Sequence, residues 1–118
     1  MLVVDTDPAV LVQLAEALAH AGYAPIPAAS FEDAIARLND TPVEFLVTAH
    51  RLGAHNGLHL VLRARAGGAA GAVVMSEAPD PVLDREALGL GAVTVVAPWR
   101  DPVALVDALA RARHVQPA

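Results

Sequence analysis

The sequence predicts an α/β domain, with a parallel five-stranded sheet covered by helices on both faces. Three observations carry that prediction. Short aliphatic runs recur five times, each followed by a helical stretch. Three of those helices open on the same pair, Asp7-Pro8, Asp80-Pro81 and Asp101-Pro102. In such a pair Asp accepts from the first unpaired N–H groups, and Pro supplies a helical φ at a position where no N–H is needed. The connections are short, and strands alternating with helices on short connections give a parallel sheet with right-handed crossovers.

The elements follow in order. Leu2 to Val4 is a buried strand ending at Asp5. The helix capped by Asp7 carries Val10, Leu11, Leu14 and Leu18 at helical spacing, and Gly22 stops it. Ala24 to Ala28 is a second strand, and its Pro25 and Pro27 assign it to a sheet edge. Ser30 with Asp33 forms a short variant of a capping box for a helix running to about Leu38. Val43 to Thr48 is apolar enough for a central strand. A polar loop from Ala49 to Asn56 precedes a helix over Gly57 to Ala66, broken by Gly67-Gly68. Ala72 to Met75 is the fourth strand, Asp80 to Leu88 a helix, and Val93 to Val96 the fifth strand. The last helix carries Val103, Val106, Leu109 and Ala110. Residues 1–114 read as the domain and 115–118 as a tail or the start of a linker.

Composition narrows the function classes. The chain has 118 residues and no cysteine, which removes disulfides, thiol catalysis and cysteine-held metals. Its net charge is −5, against a nucleic-acid binder that works through general basicity. All eight basic residues are Arg. Arg63, Arg65, Arg111 and Arg113 fall near helix ends, where cations are favoured anyway. His50, His55 and His59 cluster in sequence, but loop histidines are more often plain polar residues than metal ligands. No apolar run is long enough to span a bilayer, and no secretory leader is visible; the expectation is a cytoplasmic protein without membrane contact.

In a doubly wound sheet the functional crevice lies beyond the carboxyl ends of the strands. Those ends present Asp5-Thr6-Asp7, Ala49-His50, Ser76-Glu77 and Ala97-Pro98. Together with Leu46-Val47-Thr48, Arg51-Leu52, Asn56-Gly57-Leu58, Val73-Val74-Met75-Ser76, Glu86-Ala87-Leu88, Gly91-Ala92 and Pro98-Trp99, their order and spacing resemble a response-regulator receiver domain over nearly the whole chain. The resemblance implies a flavodoxin-like fold with strand order 2-1-3-4-5 and a role in a bacterial two-component or phosphorelay pathway.

The family's chemistry uses an acidic pair, a phosphoacceptor Asp, a hydroxyl and a Lys, with Mg²⁺ on the acids. Carried over one position at a time, the first acid is Asp5 and the second falls on neutral Thr6. The phosphoacceptor position is Ala49, the hydroxyl is Ser76, and the Lys position is Ala97. Ala49 offers no nucleophile, and one remaining acid holds Mg²⁺ weakly or not at all. With no Lys anywhere, none can substitute. The resemblance thus points to a degenerate pseudo-receiver: not an enzyme, without cofactor, acting through protein–protein contact or self-association as a homodimer, with an attached or separate effector. The family's switch aromatic falls on Thr94 or Val95, neither aromatic. Glu77 reads either as a fixed negative charge standing in for a phosphoryl group or as a solvated loop carboxylate. The family's partner face, formed by the fourth helix, fifth strand and fifth helix, maps to Val82, Leu83, Val95, Trp99 and Leu105.

Two alternatives stand beside this reading. One is phosphorylation on another carboxylate, Asp5 or Glu77, whose geometry would have to be rebuilt without Lys. The other is an unrelated doubly wound small-ligand binder for a nucleotide or flavin, although Asp5-Thr6-Asp7-Pro8 stands where a Gly-rich phosphate loop would be.

Overall fold

The three Asp-Pro pairs do start helices, and they set the positions of everything beyond the strand ends. In a computed structural model describing residues 1–117, the order is β1 (Leu2–Val4), α1 (Pro8–His20), β2 (Ile26–Ala28), α2 (Phe31–Asp40), β3 (Phe45–Ala49), β4 (Arg51–Leu52), β5 (His55–Asn56), α3 (Leu58–Ala66), β6 (Gly71–Ser76), α4 (Pro81–Gly89), β7 (Ala92–Val96) and α5 (Pro102–Ala112). Asp7 Oδ1 accepts from the N–H groups of Ala9 and Val10, Asp80 Oδ1 from Leu83, and Asp101 Oδ1 from Ala104. Ser30 Oγ caps α2 through the Asp33 N–H.

The main sheet is parallel, with order β2-β1-β3-β6-β7. Without the small β4–β5 hairpin this is the 2-1-3-4-5 order that the resemblance implies. The proline-bearing β2 is an edge strand, as its composition predicts.

Side-chain alternation along the strands divides the core in two. Leu2, Val4, Leu46, Ala72, Val74 and Ala92 pack with α2, α3 and α4 through Ala34, Leu60, Val61, Leu83 and Ala87. Val3, Phe45, Val47, Val73, Met75, Val93 and Val95 pack with α1 and α5 through Leu14, Leu18, Leu105 and Leu109. The strand order reverses direction between β1 and β3, and the crevice predicted for such a switch point lies there.

Three details depart from the sequence reading. The Ala49–Asn56 stretch is not a plain loop: Arg51–Leu52 and His55–Asn56 pair antiparallel about Gly53, whose φ of 63° suits the first central position of a tight hairpin. The core stripe of α5 is Leu105, Ala108, Leu109 and Ala112, while Val103 and Val106 face outward and Ala110 is exposed. Val103 and Val106 on one side and Leu105 and Leu109 on the other make two stripes compatible with a helical period. Val115, placed by the sequence in a tail or linker, is half-buried against the domain. Arg65 donates to the carbonyls of Ala69 and Val115, and Val115 packs on the α1–α5 side of the core. Residue 118 lies outside the described residues.

Candidate functional site: an acidic cleft at the strand ends

The cleft is built by strand ends whose loops continue the hydrogen-bonding of the sheet. Asp5 N–H donates to the Ala28 carbonyl, His50 N–H to Met75, and Ala97 N–H to Ser76. Gly57 N–H donates to the His50 carbonyl and closes the base of the hairpin. The Cα of Gly57 sits so close to the end of β3 that a Cβ there would overlap the Ala49 carbonyl oxygen. The result is a cleft of about 470 Å³ lined by Asp5, Thr6 and Asp7 on one side, Ala49, His50 and Arg51 at β3, Met75 through Pro81 at β6, and Trp99 at the end of β7.

Asp5 is the only buried ionisable side chain among the described residues, 8% exposed. Its Oδ1 accepts the Asp7 N–H at 2.9 Å, an Asx turn. No side chain donates to it. Burial pushes its carboxyl above the ordinary carboxylate value. The hydrogen bond from Asp7 opposes this, and the charges of Asp7 and Glu77 add to it.

The other positions are quickly placed. Thr6 is exposed. Ala49 ends β3 with only a methyl group. Ser76 ends β6, and its hydroxyl donates to the Ala78 carbonyl at 3.0 Å, so it is committed to its own loop. Ala97 is buried with φ 43°, a left-handed backbone that L-residues other than Asn and Asp seldom adopt. The Ala97–Pro98 peptide is trans. Thr94, one of the two positions onto which the family's aromatic falls, donates from Oγ1 to Asp84 Oδ1 at 2.6 Å and ties β7 to α4. Glu77 is exposed at the rim.

These residues do not fit an octahedral Mg²⁺. Such an ion needs several hard oxygens in close order, and here a single buried acid stands beside a neutral Thr and an Ala. Among the described residues no three acidic or histidine side chains converge as a metal set. The histidines separate: His50 lines the cleft, His55 stacks on Phe31 (centroids 4.2 Å apart, planes 8°) with Nε2 3.1 Å from Glu32 Oε1, and His59 is exposed on α3.

The partner face needs correction residue by residue. Leu83, Val95 and Leu105 are core residues, 2%, 7% and 0% exposed. Val82 is exposed and Trp99 half-buried. The apolar side chains that the α4–β7–α5 face presents outward are Val82, Leu88, Val96, Val103 and Val106. The sequence reading missed the last four, because alternation along β7 places Val96 outward only once the register is known. It also missed Thr48, fully buried with its hydroxyl donating to the Ala49 carbonyl. A lone Thr inside an aliphatic strand carries no signal of its own.

No family model matches the chain, and no curated protein sequence matches it. Solved structures do. The chemotaxis response regulator CheY4 of Vibrio cholerae is 21% identical, covers 94% of this chain and 95% of its own, and superposes with a TM-score of 0.80. The signal receiver domain of an HD domain-containing protein from Pseudomonas fluorescens is 24% identical over 96% of this chain and 85% of its own, at 0.77. A Burkholderia pseudomallei response regulator, solved with a phosphorylated aspartic acid, a calcium ion and citrate, is 22% identical over 96% of this chain and 68% of its own, at 0.80. The fold of this chain is the receiver fold.

Proposed function

We propose that the chain is a receiver-fold signalling module that takes no phosphoryl group and acts by binding a protein partner or a second copy of itself. One observation carries the reading: the end of β3, at the centre of an otherwise well-formed cleft, is Ala49. A methyl group cannot form an acyl phosphate. The rest of the cleft is consistent with that loss. Thr6 and Ala97 bring neither metal-binding charge nor a cation for phosphoryl oxygens, and the Ser76 hydroxyl is occupied locally.

Asp5 is a poor substitute acceptor. It is buried, burial pushes its carboxyl above the ordinary carboxylate value, and Oδ1 already accepts the Asp7 N–H. In this reading the domain is not an enzyme and needs no cofactor, and its setting is a two-component or phosphorelay pathway in the cytoplasm. Among the described residues, no helix is long and apolar enough to cross a membrane. Contact with the partner falls on the outward face of α4, β7 and α5, where exposed aliphatic residues gather.

The test is the amide spectrum of the chain by NMR as Mg²⁺ and beryllofluoride, a phosphoryl mimic, are added. The reading expects no shifts beyond those from salt alone. Saturable shifts at the ends of β1, β3 and β6 would overturn it.

A further inference from the structure

We infer that residues 114–117 form a strap, closed across the amino ends of β6 and β7 and released through the last turn of α4. The strap stands on its own contacts. That a protein partner is what bears on α4 rests on the reading above, and the inference goes beyond that reading by naming how such contact reaches the C-terminal segment.

The strap lies at the end of the sheet opposite the cleft. There α5 ends on the start of β6, and a Cβ on Gly71 would stand 3.0 Å from the Ala112 carbonyl oxygen. From that point the segment passes from one helical layer to the other. The Val115 side chain packs on the core of the α1–α5 layer. Its carbonyl accepts from Arg65 Nη2 at 3.2 Å, and Arg65 belongs to α3 in the opposite layer. Arg65 Nη1 donates to the Ala69 carbonyl at 2.9 Å, so one guanidinium joins the loop after α3 to the strap. None of the ion pairs among the described residues draws Arg65 away. Two residues beyond Val115, the Pro117 ring reaches Gly91 in the turn between α4 and β7. A Cβ on Gly91 would stand 2.9 Å from Pro117 Cγ and 3.0 Å from Arg65 Nε. Gly91 is buried, and Arg65 and Pro117 are its nearest cover.

That seat is tied to α4. Gly91 N–H donates to the Leu88 carbonyl at 3.0 Å, and Leu90 N–H to the Ala87 carbonyl at 3.0 Å. The Leu88 side chain is exposed on the outward face of α4. A partner that covers Leu88 therefore bears on the residue whose carbonyl holds Gly91, and Gly91 seats the strap. The link is contiguous, one hydrogen bond and one van der Waals contact long. The strap itself is held lightly, by a half-buried Val, one guanidinium and one Pro ring, while His114 and Gln116 are exposed. Segments with so few buried contacts open at a small part of the free energy of global unfolding. The strap can thus open while the sheet and both halves of the core stay in place.

Amide nitrogen relaxation by NMR on the whole chain reads closure as backbone order at Val115 and Gln116. The closed strap should give order parameters near about 0.85, the rigid range. Arg65→Met keeps an aliphatic stem and removes both donors. Leu88→Gly loosens the last turn of α4 at an exposed position that does not touch the strap. Each should drop the order parameters at Val115 and Gln116 below about 0.6, the flexible range. Val12→Gly, comparably exposed but on α1, controls for general loosening and should leave them unchanged. Should Arg65→Met fail to fold, Pro117→Gly takes its place, since Pro117 is exposed and outside the core.

Flexible Val115 and Gln116 in the unaltered chain overturn the inference, as does unchanged order in the strap variant. A loss with Val12→Gly as large as with Leu88→Gly overturns it, since the effect would be general. A loss with Arg65→Met but none with Leu88→Gly overturns it too, since the strap would then have no link to α4. These failures leave the proposed function standing, since that reading falls only to evidence of phosphoryl-type ligation.

Discussion

Two residues at the strand ends carry costs that substitution can measure. Asp5 has its folded-state pKa raised by burial. A raised acid pKa means that the folded chain binds more protons than the unfolded chain between the two values. Stability therefore falls as pH rises through that window, and the loss is complete above the folded value. Asp5→Asn keeps an acceptor for the Asp7 N–H and removes the buried charge. It should raise the melting temperature at neutral pH, and the gain should vanish once the pH drops below the ordinary carboxylate range. Thermal melts across that range check the sign.

Ala97 holds φ 43°. The left-handed region costs an L-residue about 1–2 kcal/mol, and Gly returns part of that gain as chain entropy on folding. Ala97→Gly should stabilise by up to about 1 kcal/mol in urea unfolding. Gly57 is the opposite case. A Cβ there overlaps the Ala49 carbonyl, a backbone atom that cannot swing aside, and Gly57→Ala should destabilise by about 3 kcal/mol or more. These residue-level facts were only partly legible in sequence. The place of Ala49 at the end of β3, in the cleft, could be read by counting back from Asn56-Gly57. The burial of Asp5 and the left-handed Ala97 could not, because both arise from what surrounds a strand end rather than from what precedes it in the chain.

Elements were the most legible scale, for a definite reason. A capping Asp followed by Pro acts within one turn, so its consequence is local and survives any tertiary arrangement. Asp80→Ala should cost about 1 kcal/mol by removing the hydrogen bond to Leu83 N–H, whereas Asp80→Asn should be close to neutral. Denaturant midpoints of the two variants separate the cap from the charge. Edge placement of β2 was equally readable from its prolines. The hairpin over Arg51–Asn56 was not, since two-residue strands are too short to show alternation and are held by the turn at Gly53 and the contact of His55 with Phe31 and Glu32. The α5 stripe was misread because Val103 and Val106 satisfy the helical period as well as Leu105 and Leu109 do. Packing on β6 and β7, not hydrophobicity, decides that the leucines turn inward and the valines outward.

At the scale of the whole molecule, the proposed function separates fold from chemistry. The sheet, its order and its two-sided core match the receiver fold, and mainly aliphatic packing fills that core. None of that packing needs a reactive side chain at Ala49, Thr6 or Ala97. The outward aliphatic residues of α4, β7 and α5 then become the natural place for a partner. Val96→Glu and Val103→Glu alter exposed positions and should change stability by no more than about 0.5 kcal/mol. They should nonetheless abolish association with a second copy or an effector. Sedimentation of the purified chain, or capture of a defined partner once known, reads that difference. Leu105→Ala, by contrast, should cost about 2–5 kcal/mol, since Leu105 is wholly buried.

The most direct measurement is the intact mass of the chain after incubation with Mg²⁺ and acetyl phosphate. The account predicts an unchanged mass at every time point. A stoichiometric adduct of one phosphoryl group, stable in acid and lost in base, would show that another carboxylate has taken over as acceptor and would contradict it.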